Sequence, residues 1–224
     1  WSDDTGWSYY NPPMSDAWDN SGIQRPDTDA RGISDRGDGQ LSDALAKCVS
    51  FLREHPEFVL AYPRTKIIDD QDRTLEDYED GLDLRQESAA HRIDVVLQRT
   101  RECNAVFGLI DAERLRQTAL IGCFTGSDHI LLFELALRGP FAELGSSWFF
   151  RRTHPAASSA DKSLARQREF YDPEHKDPQF ERSSIERTRR HFREAFRALR
   201  RAPLPFASRL RCMWTLLRVA IASR

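Results

Sequence analysis

The stretch from Asn104 to Ser158, NAVFGLIDAERLRQTALIGCFTGSDHILLFELALRGPFAELGSSWFFRRTHPAAS, decides the fold class that the sequence predicts. It holds an apolar segment, a helical turn, an apolar helix over residues 128–138 and two further apolar segments. Gly139-Pro140 ends the helix, because glycine suits a helix C-terminus and proline cannot continue the hydrogen-bond ladder. Apolar strands that alternate with helices in this way are typical of an α/β layer.

Asp128 is the candidate catalytic residue of this stretch, because it stands between a turn and the apolar helix. Free backbone amides at a helix start stabilise a carboxylate anion. Such a carboxylate can act as a general base when it lies within about 3 Å of a substrate hydroxyl. An N-cap is the alternative role for Asp128, and capping statistics alone favour that alternative.

Composition and charge narrow the class of protein. The chain has 224 residues, 40% of them hydrophobic, and a net charge of −2, which suits one domain with appendages and argues against a nucleic-acid partner. Residues 1–40 carry eight Asp and three Arg, whereas residues 182–224 carry twelve Arg and two Glu. Four scattered cysteines without a CxxC spacing indicate reduced thiols. We therefore expect a cytoplasmic protein whose basic end can reach the inner face of the membrane.

Composition also divides the chain into three regions. Residues 1–40 form an acidic segment that we expect to be irregular, because it is rich in Gly, Pro and Asp and lacks aliphatic periodicity. Residues 41–158 form the α/β region, and residues 159–224 form a polar linker followed by basic amphipathic helices.

Hydrophobic periodicity and turn residues predict the individual elements. The predicted helices cover residues 42–54, 89–101, 111–117, 128–138, 183–201 and 206–223, and the predicted strands cover residues 58–62, 66–68, 104–110, 141–144 and 148–152. Pro63 is expected to end the first strand, because proline lacks the N–H that a sheet needs.

Four segments of the α/β region form a recognisable set. They are LAKCVSFLREHPEFVLAYP at 45–63, NAVFGLI at 104–110, SDHILLFELALRG at 127–139 and FRRTH at 150–154. In order and spacing they resemble segments of the family 2 glycosyltransferases. The resemblance implies the C-terminal half of a GT-A fold, an α/β nucleotide-sugar transferase layer, here with a helical C-terminal extension. It also implies transfer of a sugar from a nucleotide donor to a hydroxyl of a sugar or polysaccharide acceptor, with inversion.

The resemblance assigns Asp128 as the base that deprotonates the acceptor hydroxyl. It places Asn104 and Gly108 on the acceptor-side strand, although a close backbone approach in the core explains Gly108 equally well. Asp111 stands where the family more often has a basic residue, which speaks against acceptor binding at that position.

Four further residues are implied as ligands of the donor diphosphate and of a divalent cation, Mn²⁺ or Mg²⁺. Arg151 and Arg152 would pair with diphosphate oxygens, although strand alternation directs only one of them to a cleft. His154 would complete the metal shell, with a surface histidine as the alternative. Asp38 falls where the second metal aspartate of the family stands, but its partner position holds Gly37.

The region before Asp38 departs from the family pattern. Its forty residues do not alternate between strands and helices, so we expect a truncated or frame-altered relative that lacks the donor-binding half. Such a chain would bind nucleotide sugars weakly or not at all. The alternative function is a non-catalytic remnant or interaction module.

The basic helices near the C-terminus are the basis for the alternative function, an interaction module. Phe192, Phe196, Trp214 and Leu216 with the surrounding arginines would suit an anionic lipid surface. They would equally suit packing on the α/β region or on a partner chain.

Overall fold

A computed structural model of the chain describes residues 7–9, 38–153, 163–172, 180 and 183–222. These residues form a mixed five-stranded sheet with α-helices packed against it, so the coarse α/β class is confirmed. The elements in chain order are β1 Trp7–Tyr9, α1 Asp38–Glu54, β2 Leu60–Ile68, β3 Thr74–Tyr78, α2 Ala89–Arg99, a 3₁₀ turn Asn104–Phe107, β4 Leu109–Asp111, α3 Ala112–Arg116, α4 Ser127–Arg138, β5 Phe141–Arg152, α5 Leu164–Tyr171, α6 Ser184–Arg201 and α7 Phe206–Ala222.

The sheet is organised around β2. Strand β5 pairs with β2 in parallel along its whole length. On the other side of β2, its beginning pairs antiparallel with β4 and its end pairs antiparallel with β3. Strand β1 extends the sheet beyond β4. The ends of β2 and β5 therefore lie side by side, next to the turn that follows α2.

Both faces of the sheet are covered, so the core has two parts. Alternate strand residues point to opposite faces. Leu60, Ile110 and Phe141 pack with α2, α4, α6 and α7 in the larger cluster. Their neighbours Ala61, Leu109 and Ala142 pack against α1 in the smaller one. The arrangement of the described elements is three-layered, with α1 packed on one face of the sheet and the helices of the larger cluster on the other.

The predicted end of the first strand at Pro63 is wrong, because the strand continues past this residue. Strand β2 continues to Ile68 and includes the predicted 66–68 strand. The register with β5 shifts between Pro63 and Arg64. This irregularity accommodates a residue that cannot donate to the ladder. On β5 it falls between the two predicted strands 141–144 and 148–152, which are one strand.

The strand predicted over residues 104–110 is wrong in its first part and confirmed in its last part. Residues 104–107 form a 3₁₀ turn, and only Leu109–Asp111 form a strand. The turn is held by hydrogen bonds from the Val106 amide to the Cys103 carbonyl and from the Gly108 amide to the Ala105 carbonyl. An apolar segment buried on every side carries no period that separates a strand from a turn.

The observed bounds of the helices lie closer to the predicted bounds than those of the strands do. Helices α2, α3, α4, α6 and α7 lie within a few residues of their predicted bounds, whereas α1 begins at Asp38 and α5 forms inside the predicted linker. Most of the segment 1–40 lies outside the described residues, but Trp7–Tyr9 form β1 where no strand was predicted. Among the helices that are described, none is long and apolar enough to cross a membrane.

Candidate active site

The candidate site is built on the turn before α4. Gly126 is the N-cap of α4 with a φ of 74°, and it makes no side-chain cap. Asp128 is the second residue of the helix, and its Oδ1 accepts a hydrogen bond from the His129 amide at 2.9 Å. The alternative that Asp128 is the N-cap is therefore wrong. The helix start still favours its negative charge, because the first amides of a helix have no intrahelical acceptor and carry the positive end of the helix dipole.

Asp128 faces the turn between α2 and β4. Donor atoms of Cys103, Asp128 and His129 lie within 4.8 Å of one another. The thiol of Cys103 is buried and hydrogen-bonds to the Asp128 carboxylate. Burial raises the pKa of this thiol well above its usual range, and the negative charge of Asp128 raises it further. The thiol is therefore a protonated donor, and the half-buried carboxylate keeps acceptor capacity for a further hydroxyl.

Cys103 adopts a backbone conformation that non-glycine residues rarely take, with a φ of 54°. Asp80 helps to hold it there, because its Oδ1 accepts the amide of Asn104 at 3.2 Å. Its Oδ2 accepts the Thr65 hydroxyl at 3.2 Å. Burial raises the pKa of Asp80 to about 6, although the bonds from Thr65 and Asn104 act in the opposite direction. A buried carboxyl thus fixes the turn that presents Cys103 to Asp128.

Arg151 reaches the other side of the same turn. Its Nη1 lies 2.5 Å from Glu102 Oε2 and donates to Asn104 Oδ1 at 3.3 Å. Asn104 is buried, and its side chain interacts with the Asp80 carboxyl. Among the described residues, its Nδ2 has no partner at hydrogen-bond geometry. Asp128 and Arg151 therefore contact the same short segment, residues 102–104, which includes Asn104.

Arg152 points elsewhere, as strand alternation predicted for one of the two arginines. Its Nη1 donates to the Asp69 carbonyl at 2.7 Å, and its Nη2 pairs with Asp72 at 2.6 Å. These contacts close the hairpin between β2 and β3. None of them involves the 102–104 turn. The structure engages both arginines with acceptors of the chain itself.

Gly108 has a packing reason to be glycine. A Cβ at this position would lie 2.5 Å from the Cβ of Tyr62 and 2.6 Å from the carbonyl oxygen of Ala61. The residue is buried where the 3₁₀ turn crosses β2. Close backbone approach accounts for it, and nothing in this geometry directs it to a ligand.

Helix α6 supports the Asp128 turn from outside the α/β region. His191 Nε2 lies 2.7 Å from the Thr125 carbonyl oxygen, and a Cβ on Gly126 would come within 2.5 Å of the same nitrogen. The rings of His129 and His191 are stacked with centroids 6.4 Å apart. Glycine at 126 therefore serves both the left-handed turn and the close approach of His191.

The metal ligands implied by the resemblance cannot be assembled from described side chains. His154 lies outside the described residues, and Asp38 is described only as the first backbone residue of α1. The donor set that the described residues do bring together, Cys103, Asp128 and His129, contains a thiol and an imidazole. Such donors suit zinc better than Mg²⁺, which prefers oxygen ligands. The set does not fit the implied Mg²⁺.

No protein-family model matches the chain, and no curated protein matches it. The geometry around Asp128 and the four sequence segments are therefore the basis for a function.

Several residues around Asp128 were not singled out from the sequence. They are Asp80, Glu102, Cys103, His129 and His191. His129 had a local signal, because it follows Asp128 directly. The others come from distant segments and carry no spacing that links them to position 128.

Proposed function

We propose that this chain carries the acceptor side of an inverting sugar transferase of GT-A type, with Asp128 as the general base. The observation that supports this most is the position of the carboxylate. It lies in the first turn of a helix without capping it, half-buried, against a turn that is fixed by Asp80 and Arg151. A rigid surrounding turn is what a positioned proton acceptor needs.

In the proposed reaction, an acceptor hydroxyl lies within hydrogen-bond distance of the Asp128 carboxylate. As its oxygen forms a bond to the anomeric carbon of the donor sugar, the bond from that carbon to the nucleoside diphosphate breaks, and the hydroxyl proton passes to Asp128. The Cys103 thiol holds the carboxylate from one side, and the His129 amide holds Oδ1. Both are positioning contacts, since neither group gives up a proton to the substrate.

The remaining partners belong to the same proposal. A nucleotide sugar is the donor, a sugar or polysaccharide is the acceptor, and the reaction takes place in the cytoplasm. Asn104 would border the acceptor, because it lies on the turn that Asp128 faces. Arg151, which donates to Asn104 from the end of β5, would pair with the donor diphosphate. A divalent cation would supply charge neutralisation of the leaving diphosphate when bound near Asp38 and His154.

Transfer tests this proposal directly. The full chain is incubated with a panel of UDP- and GDP-sugars, Mn²⁺ or Mg²⁺, and mono- and oligosaccharide acceptors, and products are identified by mass spectrometry. Asp128→Asn keeps the shape but removes the base, so we expect transfer to fall by about 100-fold or more. Asp77→Asn is the matched control, because Asp77 is exposed on β3 and pairs with Lys66 at 3.0 Å.

Two outcomes would contradict the proposal. One is equal transfer by the wild type and Asp128→Asn. The other is the absence of both transfer and binding of any acceptor sugar, which would favour the second candidate, an interaction module. Acceptor binding without transfer is the result expected if the donor-binding half is missing. One observation supports that candidate independently, namely an exposed apolar face on α7.

A further inference from the structure

Helix α7 carries a continuous apolar face that the described part of the chain leaves uncovered. Five large apolar side chains, between 49% and 75% exposed, form it: Phe206, Leu210, Trp214, Leu217 and Ile221. We call this set the α7 stripe. Its members are four, four, three and four residues apart, so at 100° per residue they fall within an arc of about 80°. The stripe runs along almost the whole helix.

The opposite face of α7 is the one that joins the fold. Cys212 and Leu216 are buried in the larger core cluster, where α7 packs on α2 and α6. Leu216, which the sequence analysis placed on a lipid-facing surface, therefore belongs to the core. Trp214 does lie on the exposed face. Helix α7 already has its packing partner, so the stripe is in excess of what the fold requires.

The charges on α7 itself are all of one sign. Residues 206–222 contain Arg209, Arg211 and Arg218 and no acidic residue. By helical geometry Arg209 lies on one flank of the stripe, and Arg211 and Arg218 lie on the other. Arg218 pairs with Asp94 yet keeps 56% of its side chain exposed. The neighbouring helix α6 adds seven Arg against two Glu.

We propose that the α7 stripe is a docking surface for an anionic lipid membrane. An apolar face that contains Trp, Phe and Leu between arginines can lie in the membrane interface, with its side chains about 5–10 Å into the headgroup and acyl boundary. Tryptophan favours this depth because its ring is apolar and its N–H is polar. Arginines on both flanks then face the negative surface of the lipid.

A second copy of the chain fits the same face less well. If two α7 stripes packed together, the flanking arginines of one helix would lie beside those of the other. No acidic residue of α7 is present to pair with them. Like charges across such an interface oppose association. The one-signed border therefore favours an anionic lipid over self-association.

Vesicle flotation of the full chain tests the proposal. We expect the wild type to float with vesicles containing about a third phosphatidylserine and to float at least about tenfold less with pure phosphatidylcholine. Raising the salt from about 0.1 M to about 1 M should weaken the binding, because the screening length falls from about 10 Å to about 3 Å. These two measurements need no variant.

Substitutions then locate the surface. Phe206→Ser combined with Trp214→Ser should reduce binding to the anionic vesicles by roughly tenfold or more, because it removes two inserted side chains. Leu75→Ser is the matched control, since Leu75 is 60% exposed on β3 and lies outside the stripe. Arg211→Gln should cause a smaller loss that disappears at high salt. Circular dichroism checks that each variant keeps its helices.

Three results would overturn the proposal. The first is equal binding to neutral and anionic vesicles, and the second is binding that the double substitution leaves unchanged. The third is a dimer in analytical ultracentrifugation that the double substitution dissociates, without vesicle binding by the wild type. That last result would assign the stripe to a second copy of the chain.

Discussion

Helices α4 and α7 have similarly apolar sequences but opposite surroundings. In α4, nine of twelve residues are buried, because α2, α3, α6 and the 3₁₀ turn all contact it. In α7, two of seventeen residues are buried, because it packs on α2 and α6 from one side. The comparison teaches that apolar content alone does not place a helix in a core. The number of elements around it decides whether its second face is covered.

Matched phenylalanine substitutions should show the largest difference between the two helices. Phe133 of α4 is 1% exposed, whereas Phe206 of α7 is 75% exposed. We expect Phe133→Ala to lower the free energy of unfolding by about 3–5 kcal/mol, because it leaves a cavity. Phe206→Ala should change it by about 0.5 kcal/mol or less. Urea unfolding measures both, and comparable losses would show that the α7 stripe is covered in solution.

The buried carboxyl of Asp80 makes the α/β region sensitive to pH. Its pKa is about 6 in the folded chain against a usual 3.8, so the folded state keeps a proton that the unfolded chain has lost. The contribution of Asp80 to stability therefore falls as the pH rises from about 4 to about 6 and stays constant above that range.

Asp80→Asn removes this titration and tests it. Between pH 4 and pH 7, the free energy of unfolding of the wild type should fall by about 2–3 kcal/mol relative to that of the variant. Urea unfolding of both proteins at both pH values gives the four free energies of unfolding that are compared. A constant difference between the two proteins would mean that Asp80 is not perturbed by burial.

A smaller change in the free energy of unfolding is expected at the contact that joins α4 to α6. Glu134 of α4 is 1% exposed, its Oε2 accepts the Ala119 amide at 2.7 Å, and its Oε1 pairs with Arg201 at the end of α6. Arg201→Ala should lower the free energy of unfolding by about 2 kcal/mol, less than a fully buried pair would lose, because the Arg201 side chain is 40% exposed.

Arg197→Ala is the control for this contact. Arg197 is 55% exposed and pairs with Glu194 one turn away on the same helix. Its loss should cost about 0.5 kcal/mol or less. Equal effects of the two substitutions in urea unfolding would contradict the view that Arg201 fastens α6 to α4.

The elements with a regular period or a clear stop signal were predictable from the sequence. Helix α4 was predicted because its apolar pattern ends at Gly139-Pro140, and α6 because its apolar residues share one face among arginines. The continuation of β2 through Pro63 was not predictable, because it depends on an irregularity in the distant strand β5. The 3₁₀ turn at Asn104–Phe107 depends similarly on Asp80.

The position of Asp128 in the first turn of α4 was predictable from the sequence, whereas the contacts around it were not. The helix pattern and the resemblance both marked position 128. Nothing in the local sequence showed that Cys103 takes a left-handed conformation or that His191 reaches the Thr125 carbonyl. The contacts behind them join segments far apart in the chain: Asp80 and Asn104 are 24 positions apart, and Thr125 and His191 are 66 positions apart. Their geometry arises only when α2, α4 and α6 are packed.

The proposed function places the Asp128 carboxylate against a sugar hydroxyl, and saturation-transfer NMR tests this contact most directly. The full chain is irradiated in the presence of mono- and oligosaccharides, and the sugar signals are compared for the wild type, Asp128→Asn and the exposed control Asp77→Asn. The account predicts sugar contact in the wild type and the control, weakened by roughly fivefold in Asp128→Asn through the loss of a charged hydrogen bond. Sugar contact that Asp128→Asn leaves unchanged, or no contact with any sugar, would contradict it.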